Sequence, residues 1–232
     1  MRIAVDAMGA DNAPDVEIEG AVSASLDSDV QIILVGDEAI LKPKLAAYPK
    51  RGDIKIVHAA QAISMHDAPG TAIRQKKDSS LLVGMRLVKN GEADAIVSAG
   101  NTGAVHVGAR TVLGPLRGVA RSAICGTLPT TRGRVALLDI GANVDCTARH
   151  LCEFAEMGIA YSQYALGVET PRVGLLNIGE EDEKGGSVAK EVHVKLRVAP
   201  HVNFVGNVEP KAMFNGEADV VVCDGFHGNL LL

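Results

Sequence analysis

At seven places in this chain a short run of Ile, Val, Leu and Ala leads into a polar turn, usually holding a glycine, and a helical pattern often follows. The runs cover residues 3–6, 30–35, 54–57, 95–98, 135–140, 173–178 and 220–224. A strand with one wet face alternates apolar and polar residues. These runs do not alternate, so they predict strands covered on both faces. Strands alternating with helices predict an α/β fold, a three-layer α/β/α arrangement around a largely parallel sheet. With no internal repeat or long linker, residues 1–232 read as a single domain. Ligands of such sheets sit at the carboxyl ends of the strands, where these glycine turns collect.

The helices between are legible as well. Ser79 or Ser80 caps a helix carrying Leu81, Leu82, Met85 and Val88 at helical spacing, which Asn90-Gly91 ends. Thr147 caps another, with Leu151, Phe154, Ala155 and Gly158 on one face, and Ser187 starts a third that Pro200 stops. The chain ends at Gly228-Asn229-Leu230-Leu231-Leu232, one step into a further helix. Three leucines make an unusual domain end, so the chain reads as truncated at its C-terminus.

Composition narrows the functional classes. Of 232 residues 47% are hydrophobic and 22% charged, the balance of a soluble folded protein, and no apolar run is long enough to span a membrane. No secretory signal precedes the first strand, which predicts a cytoplasmic protein. A net charge of −5, no Trp and 3% aromatics argue against nucleic acid as partner. Cys125, Cys146, Cys152 and Cys223 form no C-x-x-C pair and read as reduced thiols. The seven histidines never fall at His-x-x-x-His spacing, and no metal site is predicted.

Several turns carry chemistry. In Ser98-Ala99-Gly100-Asn101-Thr102 a strand meets a helix start, leaving backbone N–H groups for an anion, or simply a capped helix. Asp6-Ala7-Met8-Gly9 either positions a ligand or caps a turn. Arg74-Gln75-Lys76-Lys77-Asp78-Ser79-Ser80 sets cations ahead of a helix N-terminus, which suits a phosphate or a solvated charge run. Asn143, within Asp139-Ile140-Gly141-Ala142-Asn143, is a donor to an oxyanion or the centre of an Asx-turn. Lys184 follows four acidic residues and precedes Gly185-Gly186. That order is wrong for a P-loop, so Lys184 either swings toward developing negative charge or pairs with its neighbours. Asp224, His227 and Asn229 share one glycine-punctuated loop, where His227 is conceivable as a general base.

Six of these segments, taken in order, resemble the bacterial phosphate acyltransferases of phospholipid synthesis, the PlsX family. The resemblance rests on Val5-Asp6-Ala7-Met8-Gly9, Lys76-Lys77-Asp78-Ser79-Ser80, residues 97–104, residues 138–145, residues 171–179 and Ala218-Asp219-Val220-Val221-Val222. It implies a fold like the isocitrate and isopropylmalate dehydrogenases, shared with phosphotransacetylases, with the C-terminal part missing here. It implies transfer of a fatty acyl group from acyl carrier protein to inorganic phosphate, without cofactor or metal. The acyl phosphate then passes to a membrane glycerol-3-phosphate acyltransferase. A homodimer in peripheral contact with the inner face of the membrane is implied too. On matching loops, Lys184 and Asn229 become the catalytic candidates, and Lys77, Ser79, Ser80, Gly100, Asn101, Thr102 and Asn143 the phosphate-binding ones. His227 falls at a variable family position and is not carried over. Ala10 stands where the family has a second glycine, and Gly186-Ser187 where it has Asn-Glu. Two alternatives stay open: a phosphotransacetylase-like enzyme using coenzyme A, and an inactive truncated chain that still binds carrier protein or phosphate.

Overall fold

The apolar runs become strands of two separate sheets in the computed structural model, which describes all residues 1–232. The chain divides into two compact units, Met1–Gly114 and Pro115–Leu232, each with its own sheet. Where the sequence suggested one sheet, there are two; the seven runs divide four and three between them.

The first unit holds β1 (Arg2–Asp6), β2 (Gln31–Gly36), β3 (Ile54–His58) and β4 (Ala95–Val97), all parallel, in the order β3-β2-β1-β4. Helices α1 (Asp15–Asp27) and α2 (Glu38–Ala46) cover one face, with Ile18, Val22, Leu41 and Leu45 packed on Ile32 and Leu34. Helix α4 (Ser80–Lys89) covers the other, with Val83 and Leu87 on Ala4, Ile33 and Val35. Neighbouring residues of β2 thus enter opposite cores, which is why its sequence is apolar without alternation. Helices α3 (Pro69–Gln75) and α5 (Thr102–Val112) pack outside α4 around Met85 and Ile73.

The second unit holds β5 (Cys125–Thr130), β6 (Gly133–Leu138), β7 (Arg172–Leu176), β8 (Asn203–Val208) and β9 (Val220–Val222), in the order β5-β6-β9-β7-β8. All pairs are parallel except β5 with β6. Helices α6 (Ala148–Leu166) and α7 (Ser187–Val198) bury Phe154, Leu151, Val192 and Leu196 against Ala136, Leu138, Val220 and Val222. On the other face α8 (Pro210–Phe214) sets Ala212 and Met213 against Val135, Leu137 and Val221, and α9 (Gly225–Leu231) adds Leu231 at the margin. Each unit is therefore a three-layer α/β/α body.

The predicted caps are present. Ser79 Oγ accepts from Leu82 N, and Thr147 forms a capping box with His150 at the start of α6. No helix is long and apolar enough to cross a membrane.

Arg172 at the start of β7 and Asp219 before β9 close the end of the second sheet opposite its glycine loops. The guanidinium donates to both carboxylate oxygens at 2.9 Å, and Arg172 N–H donates to the same group at 2.9 Å. Burial alone would raise the Asp219 pKa; the bonds from Arg172 outweigh it and hold the carboxyl below its ordinary value. A depressed folded pKa contributes stability that is complete above the unfolded value, about 4. That stability is lost as pH falls through the lower folded value. Urea unfolding between about pH 6 and pH 2 will therefore show a steeper acid loss of stability in the wild type than in Asp219→Asn.

Candidate functional site

In the first sheet the chain moves outward from β1 to β2 and β3, then returns to the far side of β1 to lay down β4. The gap between the carboxyl ends of β1 and β4 is thus the switch point, where open α/β sheets leave a crevice. Asp6, at the end of β1, is 2% exposed. Ser80 donates its hydroxyl to Oδ1 at 2.5 Å and Ser98 donates to Oδ2 at 2.8 Å. Ser98 Oγ in turn accepts from Gly100 N at 3.1 Å. One buried carboxylate thus ties the start of α4 and the turn after β4 to the end of β1. A Cβ on Gly100 would lie 3.1 Å from the carbonyl oxygen of Gly9, so the absent side chain lets the two turns touch.

Asn101 caps α5, its Oδ1 accepting from Ala104 N at 3.0 Å. Its Nδ2 reaches the carbonyls of Ser64, Met65 and Asp67, at 3.0 Å for the last. Thr102 and Gly103 precede the first intrahelical bond, from Val105 N to Asn101 O, so their N–H groups lie open at the helix start. Thr102 is exposed, and so is Lys77 on the turn before α4. Lys76, by contrast, is paired with Asp67.

In the second sheet the same device recurs in a fuller form. Asp139, directly after β6, is fully buried. Its Oδ1 accepts from the N–H groups of Ile124, Gly141 and Ala142, and its Oδ2 from Asn143 N and Nδ2, both at 2.7 Å. The loop after β6 is wound around this carboxylate. The N-terminal turn of α9 seats on that loop: Gly225 N donates to Asn143 O at 2.7 Å. Gly228 lies so near that a Cβ there would stand 1.9 Å from Asp139 O. Asn229 is exposed, with its side chain over the Gly141 turn.

Lys184 lies on the exposed loop between β7 and α7, its ammonium 3.7 Å from Glu181 and its backbone N–H on Glu181 O. Asn177 donates to Lys184 O at 3.0 Å, and this loop borders an apolar cleft of about 760 Å³. Leu151, Leu175, Ile178, Val188 and Leu230 line it, with Asn177, Glu209, Asp224 and His227 as polar groups. His227 pairs with Asp224 at 2.8 Å.

These placements sort the candidates. Gly100, Asn101 and Thr102 share one turn in the first unit with Asp6 and Ser98 beside it. Ser80 and Asn143, candidates for a ligand on sequence grounds, spend their donors on the fold, and Ser79 Oγ accepts from Leu82 N. The Ser79 hydroxyl sits fully buried at the α4 cap, and the Ser80 hydroxyl is given to Asp6. Both amide hydrogens of Asn143 are taken, by Ser122 O and Asp139. Asn143 makes no Asx-turn of its own; the carboxylate that bonds the N–H two residues on is that of Asp139, at Gly141. Asp139 and Ser98 had no assigned role in the sequence reading. Their signal was positional: the polar residue ending an otherwise apolar run.

The thiols are shielded. Burial raises the pKa of Cys125 and of Cys146 to about 11, and that of Cys223 to about 12, so none is a thiolate near neutrality.

The family described as "Fatty acid synthesis protein" matches residues 1–232. The phosphate acyltransferase of Geobacter sulfurreducens is 50% identical over 233 residues, covering 100% of this chain and 67% of the relative. That of Citrifermentans bemidjiense is 48% identical, covering 100% and 66%. The chain thus spans about two thirds of the length of the curated relatives it matches. Among solved structures, a phosphotransacetylase from Staphylococcus aureus superposes with TM-score 0.69 at 17% identity, covering 99% of this chain and 79% of that one. A branched-chain phosphotransacylase from Enterococcus faecalis gives 0.65 at 18%, covering 100% and 82%. A 4-hydroxythreonine-4-phosphate dehydrogenase from Burkholderia phymatum gives 0.59 at 17%, covering 99% and 82%. These three likenesses speak to fold alone, and the fold is the one the sequence resemblance implied. The chain belongs to the fatty acid synthesis protein family, together with these phosphate acyltransferases.

Proposed function

We propose that this chain belongs to an enzyme that moves a fatty acyl group from acyl carrier protein to inorganic phosphate, yielding an acyl phosphate for phospholipid synthesis. The observation that carries the reading is kinship with phosphate acyltransferases at about half identity along the whole chain. The local geometry supports it. An acyl thioester needs an apolar slot, and the cleft of the second unit is one. A phosphate needs N–H donors and cations; the start of α5 at Thr102 offers the first and Lys77, exposed ahead of α4, the second.

In this reaction a phosphate oxygen attacks the thioester carbon. The C–O bond forms, the carbonyl becomes an oxyanion, and its collapse breaks the C–S bond. The carrier's sulfur leaves and takes up a proton from solvent. Phosphate itself is the nucleophile, so no covalent enzyme intermediate is required, in keeping with the shielded thiols. What remains is to hold phosphate and to stabilise the oxyanion. Thr102 and Lys77 serve the first task, with Gly100 and Asn101 shaping the turn and Asp6, Ser80 and Ser98 fixing it. Lys184 and Asn229 serve the second. Residues 1–232 act as one acyltransferase domain, in a homodimer working in the cytoplasm at the inner face of the membrane. The product passes to a membrane glycerol-3-phosphate acyltransferase.

Phosphate-dependent loss of acyl-acyl carrier protein is the direct test; equal turnover of an acyl-coenzyme A would favour a phosphotransacetylase-like enzyme instead. Lys184→Ala is expected to lower kcat by about 100-fold, the scale of losing one oxyanion donor. Full activity in that variant removes Lys184 from the mechanism. Asp139→Asn points an amide at inward-facing N–H groups and is expected to cost about 2–3 kcal/mol of stability in urea unfolding. A second variant, Gly228→Ala, is expected to loosen α9 from the same loop.

A further inference from the structure

The loop that carries Lys184 is held from below by a buried polar relay. His193 of α7 and Asn207 of β8 are 4% and 5% exposed. Asn207 Nδ2 donates to Glu181 O at 2.6 Å, and its Oδ1 lies 3.2 Å from His193 Nδ1. With Oδ1 facing the ring as an acceptor, Nδ1 is assigned the imidazole proton. Nε2 is then the acceptor for the Arg197 guanidinium at 2.7 Å, and that guanidinium also donates to Asp182 at 2.9 Å. Asp182 Oδ1 stands 3.3 Å from Nε2 as well. The ring meets Phe204 edge-on, with centroids 5.1 Å apart, which fixes its plane.

Both arms of the relay end on the acidic loop, one on the Glu181 carbonyl and one on the Asp182 carboxylate. The Glu181 carbonyl also accepts the N–H of Lys184 at 3.0 Å. The atom that Asn207 holds is therefore the one that starts the turn bearing the lysine. Burying an imidazole and an amide costs desolvation that apolar residues of the same volume would not incur. Here the cost is compensated by bonds that run outward to an exposed loop rather than within the core.

We propose that His193 and Asn207 are positioning residues for Lys184: through Glu181 and Arg197–Asp182 they fix the loop from which the lysine reaches the reacting carbonyl. This rests on the reading of Lys184 as a charge-stabilising group, and the test separates the two. Hydrogen exchange of the amides at 180–185 and steady-state acyl phosphate formation are measured for the wild type and for His193→Leu, His193→Gln, Asn207→Ala and Lys184→Ala. His193→Leu and Asn207→Ala are expected to speed exchange in that loop about tenfold while amides of α6 around Phe154 keep their protection. They lower kcat with KM for phosphate unchanged, and His193→Gln, which keeps a donor and an acceptor, restores both readouts in part. Unchanged loop exchange in both His193→Leu and Asn207→Ala overturns the relay whatever the kinetics show. Loosened loops with full kcat, alongside a Lys184→Ala variant that has lost it, overturn the positioning role. Should Lys184→Ala keep full turnover, the reading of Lys184 fails, and with it the positioning role.

Discussion

Asp139 is the group on which the second unit's loops depend. A fully buried carboxylate without a cation is costly to desolvate unless its lone pairs are filled, and here five N–H donors fill them. Four come from residues 141–143 and from Asn143's own side chain, so the carboxylate dictates the path of the loop after β6. The fifth, Ile124 N, anchors the approach to β5. Everything seated on that loop inherits its position: the start of α9, the exposed Asn229, and the backbone contact at Gly228. Asp6 performs a smaller version of the task in the first unit, through two serine hydroxyls. Each unit thus uses one buried acid at the end of a strand to set the turns at the carboxyl edge of its sheet.

The sheet topology explains why those acids sit where they do. A crevice opens where strand order reverses, and β1/β4 is such a place. Backbone around a crevice has N–H groups with no strand to pair with, and a buried acceptor or a bound anion must satisfy them. Asp139 satisfies such groups directly, and Asp6 does so through Ser98, whose hydroxyl accepts Gly100 N. Thr102 and Gly103 lie before the first intrahelical bond of α5, so that bond ladder does not use their N–H groups.

Much of this was legible in the sequence, for physical reasons that also mark its limits. Runs such as 32–35 and 220–222 are apolar on successive residues because both faces are covered, and that pattern has few other causes. Strands β5 and β8 escaped notice because they are edges: Cys125–Thr130 contains Pro129 and is nowhere fully buried, and Asn203–Val208 has a glycine and an irregular register. The division into two sheets was hidden because strand pairing is non-local; β9 enters between β6 and β7 although β7 and β8 precede it. At the candidate turns, the hydrogen bonds of individual side chains depend on tertiary packing that the sequence does not display. Ser80 and Asn143 have the chemistry of ligand donors, and only the packed structure reveals that the fold consumes it. His193 and Asn207 carried no motif, since 14 residues of chain separate partners whose meeting depends on α7 folding back beside β8.

The shielded cysteines constrain the chemistry further. Thiols with pKa values of about 11 to 12 are protonated at neutral pH, which removes the nucleophile an acyl-enzyme route on cysteine would require. Lys184 and the open N–H groups of α5 are suited to holding charge. For the proposed transfer to phosphate, whose nucleophile arrives with the substrate, the rate would rest on how firmly such charged groups are held. Firmness here is a property of buried hydrogen bonds one layer beneath the surface: Asp6 under Gly100, Asp139 under Gly141 and Asn143, and Asn207 under Glu181. Changes in that buried layer should therefore alter turnover without touching any group that meets the substrate.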